Sequence, residues 1–454
     1  MRQKYDPQNY LRWINESRSK TVWEYEEKYH QISRILDGNP DMLDLIDRDL
    51  KKLGRSNRKG RKAIYTSEIF LRAMIVHQLE GLSLRDTEIL LSHNVFLQDF
   101  IRLGARTAPS YSMLDRALKA VRPNTWEKVN GILTWHAVQE KRITPAKLRT
   151  DTTVVESTIH YPTDCSLLWD SFRTLYRLIE RARELSPGSV FNRFHERKAK
   201  ANFLFITRYS ISRNKKRQRK VKQKQAKLIK QVQRVADVAM KYHHAWLAGG
   251  VKALQPIAIE IGRYLSSIGI VLEVAKRVWI HGKVVPAQER VFSIFEPHTE
   301  LIKRGRRHKP VEFGHKILLG QTQEKFITQY HVMRKQVSDV DLPDQVLKQH
   351  ESMFGKGPQV LAADKGFCGD AEKMQRLRQK VKVVAIPQRL KDFADDVLVQ
   401  LQHFRAGIEG SISALKRAFG LLRCPYRGFK SFASHVGLGV FAYNLVVLSK
   451  PPGY

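Results

Sequence analysis

Residues 404–416 read FRAGIEGSISALK and carry the most informative spacing in the chain. A helix advances about 100° per residue, so one narrow stripe of this segment holds Arg405, Glu409, Ile412 and Lys416. A carboxylate flanked by two cations has the make-up of a metal ligand beside phosphate-binding groups. We therefore interpret Glu409 as a metal ligand, and Arg405 and Lys416 as residues that bind phosphate.

Two further acids stand where strands are expected to end. Asp151 lies in LRTDTT (148–153), and Asp364 directly follows the apolar run Val360–Ala363. Taken singly, each acid is more simply explained as a strand-end cap, a turn residue or, for Glu409, a partner of the arginine one turn earlier. Their joint occurrence at these places in the order of elements favours a shared catalytic site.

Together these positions resemble the Asp, Asp and Glu of the DDE transposases that bacterial insertion sequences encode. The Arg-x3-Glu-x6-Lys spacing around Glu409 is one of that family's signatures. The aromatic residue usually found three positions before the arginine is absent, because that position is Gln402. We expect Phe404 to take its place.

Two other stretches resemble one group of these enzymes, the ISNCY-like group. They are DTTVVESTIHYPTD (151–164) and FSIFEPHT (292–299), the latter followed by GHK (314–316). The resemblance covers most of the chain, from about residue 60 to 448. Glu156 is an odd number of positions from Asp151 and so faces the other side of a strand, which favours Asp151 as the ligand.

The resemblance implies a DNA transposase that binds the terminal inverted repeats of its own mobile element, cleaves DNA strands and joins the ends to target DNA. Asp151, Asp364 and Glu409 would be the catalytic residues and would hold two Mg²⁺ ions, with Mn²⁺ as a substitute. Arg405, Lys416 and Lys316 would hold phosphates or orient the helix of the third acid. A homo-oligomeric synaptic complex is implied as well.

The chemistry explains why acids would be gathered in this way. Phosphodiester cleavage needs an activated oxygen on one side of phosphorus and a stabilised oxyanion on the other, and two metal ions supply both. Mg²⁺ prefers oxygen ligands and retains several waters, so three carboxylates and a substrate phosphate suffice. Without metal ions, clustered carboxylates repel one another.

Two alternatives belong to other functional classes. The first is a non-catalytic DNA-binding protein derived from a transposase, against which the presence of all three acids argues. The second is a stand-alone nuclease with a ribonuclease H fold, which would cut DNA and never join it.

The charge balance points to a polyanion. The chain of 454 residues has 80 Lys and Arg against 44 Asp and Glu, a net charge of +36, which favours nucleic acid or an anionic membrane. The most apolar run, Val436–Leu448, is shorter than the ~20 residues of a spanning helix, so we expect no membrane partner. The start of the chain lacks the apolar core of a signal peptide.

The cysteines, a histidine and the absence of a phosphate-binding loop restrict the possible compartment and cofactors. Cys165, Cys368 and Cys424 are isolated, which indicates a reducing compartment; we expect a cytoplasmic, nucleoid-associated protein. We interpret Cys368 as a half-buried apolar residue and His298 as a surface or phosphate-contacting histidine. No phosphate-binding loop of the G-x4-G-K-[ST] form occurs, so no nucleotide cofactor is expected.

Residues 1–145 are predicted to form an all-α, helix-turn-helix-like DNA-binding domain. One helix ends at Gly81, and Ser83 with Asp86 caps the next. Ser112 with Asp115 is expected to cap another before Pro123. We expect the exposed faces to carry six cations: Arg72, Arg85, Arg102, Arg106, Arg116 and Lys119.

A basic helical insertion is predicted at residues 165–308. Between Arg197 and Ala236 there are fifteen Lys or Arg and no Asp or Glu. A solvated helix or a flexible arm would account for this composition, but the shortage of acids favours a surface that follows DNA phosphates. The cations assigned to it are Lys215, Lys216, Arg217, Arg219 and Lys220.

Residues 146–164 and 309–454 are predicted to form the two parts of an α/β catalytic core. Alternating apolar residues predict a hairpin with its turn at Gly320–Gln323, then a helix near Pro343–Met353, a strand at Val360–Ala363, a helix capped by Asp370 and a strand at Val381–Ile386. This order matches a ribonuclease H-like core with an insertion after its first strand.

Overall fold

The computed structural model describes residues 19–53, 64–249, 251–304, 309–386 and 395–451. The expected end of the insertion at residue 308 lies outside these ranges. Within them the protein is a mixed α/β structure with a mostly helical N-terminal region and a mixed sheet.

The N-terminal region is helical, as predicted. Its helices are α1 (Lys20–Asp37), α2 (Pro40–Leu50), α3 (Ser67–Glu80), α4 (Leu84–His93), α5 (Val95–Phe100), α6 (Tyr111–Ala120) and α7 (Pro123–Gln139). Gly81 ends α3 in the left-handed conformation with φ +62°, which glycine adopts without a steric penalty. The Ser83 hydroxyl accepts the N–H of Asp86 at the start of α4. Both predicted helix boundaries are confirmed.

The predicted cap at Ser112 is wrong. Helix α6 begins one residue earlier, at Tyr111, and Ser110 is its N-cap residue. The N–H of Tyr111 donates to the Glu88 carboxylate of α4, and Asp115 pairs with Lys119 one turn later. A tertiary contact therefore begins this helix, which a local capping pattern could not reveal.

One sheet contains every strand of the described residues. The strands are β1 (Lys147–Ser157), β2 (Glu300–Lys303), β3 (Val311–Thr322), β4 (Ile327–Val332), β5 (Val360–Ala363), β6 (Val383–Ala385) and β7 (Arg423–Cys424). The order is β2-β3-β1-β5-β6, with β4 also on β3 and β7 on β1. Strand β3 is antiparallel to β1, β2 and β4, whereas β5 is parallel to both β1 and β6.

The hairpin between β3 and β4 is confirmed, but its predicted turn is misplaced. Strand β3 continues through Gly320 to Thr322, and the chain reverses before Ile327. A Cβ on Gly320 would lie 2.5 Å from the Gln329 side chain, and the register shifts between Gly320 and Gln321. The glycine therefore admits a neighbouring side chain at a bulge instead of forming the turn.

Helices cover both faces of the sheet. The predicted helices and strand that follow the hairpin are confirmed as α12 (Leu342–Phe354), α13 (Ala371–Lys380) and β6, and the chain continues into α14 (Asp395–Ala418) and α15 (Phe429–Ser449). Helices α12 and α13 pack with Leu148 and Leu361 on one face. Helices α14 and α15 pack with Val155 and Leu319 on the other.

The insertion forms a helical unit with its own core. It comprises α8 (Asp164–Leu185), α9 (Glu196–Tyr209), α10 (Lys215–Ala248) and α11 (Gln255–Ala275), continued by a π-helical turn at Lys276–Ile280. Apolar residues of all four helices form one buried cluster. The sheet resumes with β2 at Glu300, before residue 309, because β2 pairs with β3.

Helix α15 shares a core with the N-terminal helices. Phe441 and Leu445 of α15 belong to the same buried cluster as residues of α1 to α7. The amide of Asn444 donates to Asn130 Oδ1 at 2.7 Å and to the Ile327 carbonyl at 2.8 Å, and its oxygen accepts the Ile327 N–H. The N-terminal region and the sheet are therefore packed together through α15.

Helix α15 is longer and more apolar than the sequence pattern indicated. Among the described residues it alone has the length and composition of a membrane-crossing helix, and 83% of its apolar window is buried inside the protein. Its packing against both α7 and α14 is that of a core helix.

Candidate active site

Asp151 lies in the middle of β1, on the face that α14 covers. Strand residues of one parity share a face, so Asp151 is on the same side as Val155, which packs against α14 and α15. The preceding residue, Thr150, pairs with Ala363 in the parallel ladder between β1 and β5. The register therefore places the next residue of β5, Asp364, beside Asp151.

Asp364 ends β5 and begins a short 3₁₀ turn over Lys365–Phe367. Its carboxylate accepts the N–H of Lys365 at 2.6 Å, which stops the strand. Ala362 precedes it by two positions and packs against Phe404 of α14, so Asp364 also lies on the α14 side of the sheet. Its side chain is 58% exposed.

Glu409 reaches the same place from α14, with Arg405 between it and Asp364. One guanidinium nitrogen of Arg405 is 3.6 Å from Glu409 Oε1 and 3.8 Å from Asp364 Oδ1. Strand β5 and helix α14 thus bring two predicted acids to a single cation. The non-catalytic explanation of Glu409, an ion pair with Arg405, is therefore present in the structure, and Arg405 also pairs with Asp364.

Burial and neighbouring charges perturb Asp151. Burial first, and then the charges of Asp364, Glu409 and Asp339, together raise its pKa to about 6, against the opposing effect of the hydrogen bond from the Thr152 N–H. The three predicted acids are therefore close enough to repel one another.

Asp339 is a fourth acid that the sequence reasoning missed. It precedes α12 and accepts Lys316 Nζ at 3.0 Å and the Thr152 hydroxyl at 3.4 Å. Its acid-rich surroundings, Asp339-Val340-Asp341, are those of an ordinary helix start. Only the folded loop brings Asp339 near β1.

The predicted phosphate-binding residues have different surroundings. Lys316 of β3 is held by Asp339 and by the carbonyl of Val337, and its side chain is largely buried. Lys416 lies two turns beyond Glu409 on α14 and is half-buried. Phe404, expected to replace the missing aromatic, points inward and packs against Ala362 and Ala385.

The five basic residues assigned to the insertion lie at the start of α10 and are all exposed. The guanidinium of Arg217 stacks on Tyr209 at 5.1 Å. Helix α10 packs against α8, α9 and α11. The basic surface therefore belongs to the insertion, whereas the candidate catalytic acids belong to the sheet and α14.

Two other expectations need correction. His298 is not a surface residue: its side chain is only 9% exposed, donates to Glu296 at 2.8 Å and meets His315 at 2.7 Å. Arg72 is not exposed either, because Asp37 and Glu68 hold it in a buried ion-pair network that Arg102 joins. Tertiary partners explain both residues, and neither is free to meet DNA.

Glu156 and Cys368, the other residues considered in the sequence analysis, have partners other than these acids. Glu156 is paired with Lys309 and Arg423, as expected of a residue on the opposite face. Cys368 is half-buried against the apolar cluster under α12 and α13, as predicted.

The carboxylates near Asp151 are the kind of ligand that a hard divalent cation prefers, but they are too far apart to bind one together. The nearby acids offer only carboxylate oxygens, which Mg²⁺ and Mn²⁺ prefer. In the part of the chain that the structure describes, no three His, Cys, Asp or Glu side chains are close enough to hold a metal ion. Positive charge between Asp364 and Glu409 comes from Arg405 instead.

Comparison with protein families supports the resemblance read from the sequence. Residues 300–445, about a third of the chain, match the family model of the transposase DDE domain. The match includes Asp364, Glu409 and the residues between them, whereas Asp151, the N-terminal helices and the insertion lie outside it. Comparisons with curated proteins and with solved structures gave no match.

The match supports a transposase activity in general terms. Transposases with this domain act on DNA and use divalent metal ions. The match confirms the predicted relationship to DDE transposases for this part of the chain, without distinguishing the ISNCY-like group.

The raised pKa of Asp151 predicts a pH-dependent effect of Asp151→Asn. The folded protein retains this proton up to about pH 6, whereas the ordinary value is 3.8. The ionised carboxylate therefore destabilises the protein as the pH rises through this window, by about 2–3 kcal/mol when fully ionised. Asp151→Asn should raise the melting temperature at pH 8 in chelator, and leave it nearly unchanged at pH 4.

The control is Asp99→Asn, which removes an exposed carboxylate outside the site. It should shift the melting curve little at either pH. A wild-type melting temperature for Asp151→Asn at pH 8 would contradict the raised pKa of Asp151.

Proposed function

We propose that this protein is a DDE transposase with a ribonuclease H-like core, which binds the terminal inverted repeats of an insertion sequence and catalyses Mg²⁺-dependent strand cleavage and strand transfer. The observation that carries the proposal is the convergence of Asp151, Asp364 and Glu409 from β1, β5 and α14. The family match over residues 300–445 supports the same reaction class.

The sheet supports the ribonuclease H-like assignment. Strand β3 pairs antiparallel with both β1 and β4, and two strands parallel to β1 (β5 and β6) extend the sheet on the other side of β1. The first strand carries one acid, the first parallel strand ends in the second, and a helix after the sheet supplies the third. That is the order expected from the sequence.

In the proposed reaction Asp151, Asp364 and Glu409 hold two divalent ions. These ions supply activation of the attacking oxygen and stabilisation of the leaving oxygen. The protein's own contribution is to bring the three acids together and to present Arg405 and Lys416 to DNA phosphates from one stripe of α14. Mn²⁺ is expected to substitute for Mg²⁺, since both prefer oxygen ligands.

Arg405 has two roles in this proposal. Without metal ions it neutralises Asp364 and Glu409. If these acids bound metal ions, Arg405 would no longer be needed to neutralise them, and its guanidinium could make a bidentate contact with phosphate. Lys316 remains at the edge of the site through Asp339, where it can orient that acid as well as contact DNA.

One observation favours the alternative of a non-catalytic DNA-binding protein: the acids do not form a metal-binding group in this conformation. A supercoiled-plasmid nicking assay in Mg²⁺ decides between the two, since only the transposase should nick DNA. Strand-transfer products from pre-cut ends then separate a transposase from a stand-alone nuclease.

Substitutions of the acids should separate cleavage from DNA binding. Asp151→Asn, Asp364→Asn and Glu409→Gln each remove a ligand charge and little volume, so strand cleavage in Mg²⁺ should be abolished while gel-shift affinity stays near that of the wild type. Asp99→Asn is the control and should cleave normally. Near wild-type cleavage by any of the three variants would show that its acid is misassigned.

We propose that the start of α10 binds DNA phosphates. Its first six residues include five exposed cations and no acid, at the end of the helix where the macrodipole is positive. Those in the first turn, Lys215, Lys216 and Arg217, are unfavourable next to this positive end instead of stabilising the helix. A binding function explains why they are present, since interactions with phosphate offset this cost.

The salt dependence of binding tests this surface. Lys215, Lys216, Arg217, Arg219 and Lys220 replaced together by Gln should weaken binding to specific and random duplexes alike. The slope of log affinity against log salt should fall by roughly 0.9 for each phosphate that the variant no longer neutralises. A variant with Lys and Arg exchanged at the same five positions should keep the wild-type slope.

The outcome that contradicts the proposal is an unchanged slope in the glutamine variant. These residues would then be solvated in the complex and would not touch DNA.

We propose that the N-terminal helices recognise the element ends through a groove beside α15. The groove has a volume of about 960 Å³, and its lining includes Arg85, Lys119, Arg423 and Arg427. Arg85 is exposed, and its guanidinium lies 5.1 Å from the centre of the Tyr111 ring. An arginine held on an aromatic ring at the mouth of a basic groove is suited to contact a base edge or a phosphate.

Arg85→Gln should reduce affinity for a terminal repeat by about tenfold, because one bidentate arginine–base contact contributes about 1–3 kcal/mol. Affinity for random DNA should fall much less. Lys128→Gln, an exposed cation of α7 outside the groove, is the matched control. Nuclease footprinting provides the measurement, and an intact footprint with Arg85→Gln would place end recognition elsewhere.

The proposed transposition reaction also implies an oligomeric state and a location for the protein. Pairing of two element ends in a synaptic complex calls for a homo-oligomer, and the substrate DNA places the protein in the cytoplasm at the nucleoid. We propose neither a membrane nor a nucleotide partner.

A further inference from the structure

A buried arginine joins the strand of Asp151 to the helix of Glu409. Arg149 of β1 is only 4% exposed. Its Nη1 donates to the Phe404 carbonyl of α14 at 2.8 Å, and its guanidinium lies 5.2 Å from the centre of the Phe404 ring. Because strand residues of one parity share a face, Arg149 and Asp151 face α14 together.

The arginine is itself held by a buried glutamine. Arg149 Nε donates to Gln321 Oε1 at 2.8 Å. The amide nitrogen of Gln321 donates in turn to the Ser411 hydroxyl and to the Lys325 carbonyl, each at 2.8 Å. Tyr443 of α15 donates to the same Ser411 oxygen at 2.9 Å. One polar network therefore reaches α14 at two points, residues 404 and 411.

These two anchor points lie on either side of Glu409. Phe404 precedes it by five residues and Ser411 follows it by two, so the anchored segment is about two helical turns long. Fixing a helix at two points along so short a length sets both its rotation and its position along the axis. The side-chain direction of Glu409 relative to Asp151 depends on both.

Gly407 makes the approach of the arginine possible. A Cβ at this position would lie 2.1 Å from Arg149 Nη1 and 2.8 Å from its central carbon. Any other residue would push the guanidinium away from the Phe404 carbonyl. Glycine in the middle of a helix costs about 0.5–1 kcal/mol relative to alanine, so its presence calls for such a reason.

Packing alone does not account for Arg149. Burial lowers the pKa of its guanidinium below the usual value, which shows that keeping this charge buried costs free energy. Within the described residues no carboxylate is at ion-pair distance from it, and its Nη2 atom has no hydrogen-bond partner. An apolar side chain of similar volume would fill the space at lower cost.

We propose that Arg149, with Gln321 and Gly407, is a positioning device that sets Glu409 against Asp151 for metal binding. The inference rests on the proposed function, because it assumes that both acids are metal ligands. Arg149 itself touches neither the metal ions nor DNA.

The test measures the Mg²⁺ concentration that gives half-maximal cleavage, with the full-length protein and DNA carrying a terminal repeat. Gly407→Ala and Arg149→Lys should each raise this concentration by about tenfold or more, as changes behind metal ligands do. Gel-shift affinity without divalent ions should be unchanged. Loss of folded protein would lower the amount of cleavage but leave the Mg²⁺ midpoint where it was.

Gly410→Ala is the matched control, because it adds the same methyl group to the same helix with nothing within 4 Å. Its Mg²⁺ midpoint should equal that of the wild type. Gly407→Ala combined with Arg149→Lys should be no worse than Arg149→Lys alone, because lysine lacks the Nη1 atom with which the methyl collides.

The possible outcomes separate this proposal from the proposed function. Wild-type midpoints for Gly407→Ala and Arg149→Lys, with Glu409→Gln inactive, would overturn the positioning role alone. Normal cleavage by Glu409→Gln would overturn the assignment of Glu409 as a metal ligand, and absence of Mg²⁺-dependent cleavage by the wild type would overturn the proposed function. Unfolding of both Gly407→Ala and Arg149→Lys while Gly410→Ala stays folded would show a structural network, which also overturns the positioning role.

Discussion

The parallel pairing of β1 with β5 is the constraint on which the candidate site depends. The register from Lys147 and Val360 to Thr150 and Ala363 brings the next residues, Asp151 and Asp364, side by side. Neighbouring strands are about 4.8 Å apart, so two carboxylates on one face of such a pair repel each other. A parallel pair also needs a crossover, which here includes the insertion, the β3–β4 hairpin and α12.

That repulsion explains the cations around the acids. Arg405 lies between Asp364 and Glu409, and Lys316 neutralises Asp339 on the far side of β1. Burial, and then the charges of the neighbouring acids, raise the pKa of Asp151. The charge pattern is that of a site in which added positive charge would relieve the repulsion, and this agrees with the metal binding proposed here.

Much of the fold could be predicted because its signals are local. The apolar run of β5, the caps at Ser83 and Asp370, and the alternation in β3 and β4 each lie within a few residues, and all are confirmed. Two predictions failed where a distant partner decides the local structure. Helix α6 begins at a hydrogen bond to Glu88 instead of a cap at Ser112, and Gly320 admits a side chain of the next strand instead of turning the chain.

The candidate site divides in the same way. Asp364, Glu409 and Arg405 could be proposed from spacing, because the end of a strand and the stripe of a helix are visible in sequence. Asp339, the burial of Arg72, the partners of His298 and the contact of Arg149 with α14 could not, since each depends on loops or helices brought together by folding.

Burial gives the two arginines at α14 different roles. Arg149 is enclosed, and because its guanidinium cannot return to water without breaking the core, its hydrogen bond to Phe404 is a fixed one. Arg405 lies on the outer side at the edge of solvent, and its ion pairs of 3.6 and 3.8 Å can be exchanged at little cost. Glu409 is therefore on a helix whose backbone is held by one cation, and it is paired with another that only neutralises its charge. In the proposed function Glu409 must keep its position while metal ions replace Arg405 as its partner, so it needs both the fixed Arg149 and the exchangeable Arg405.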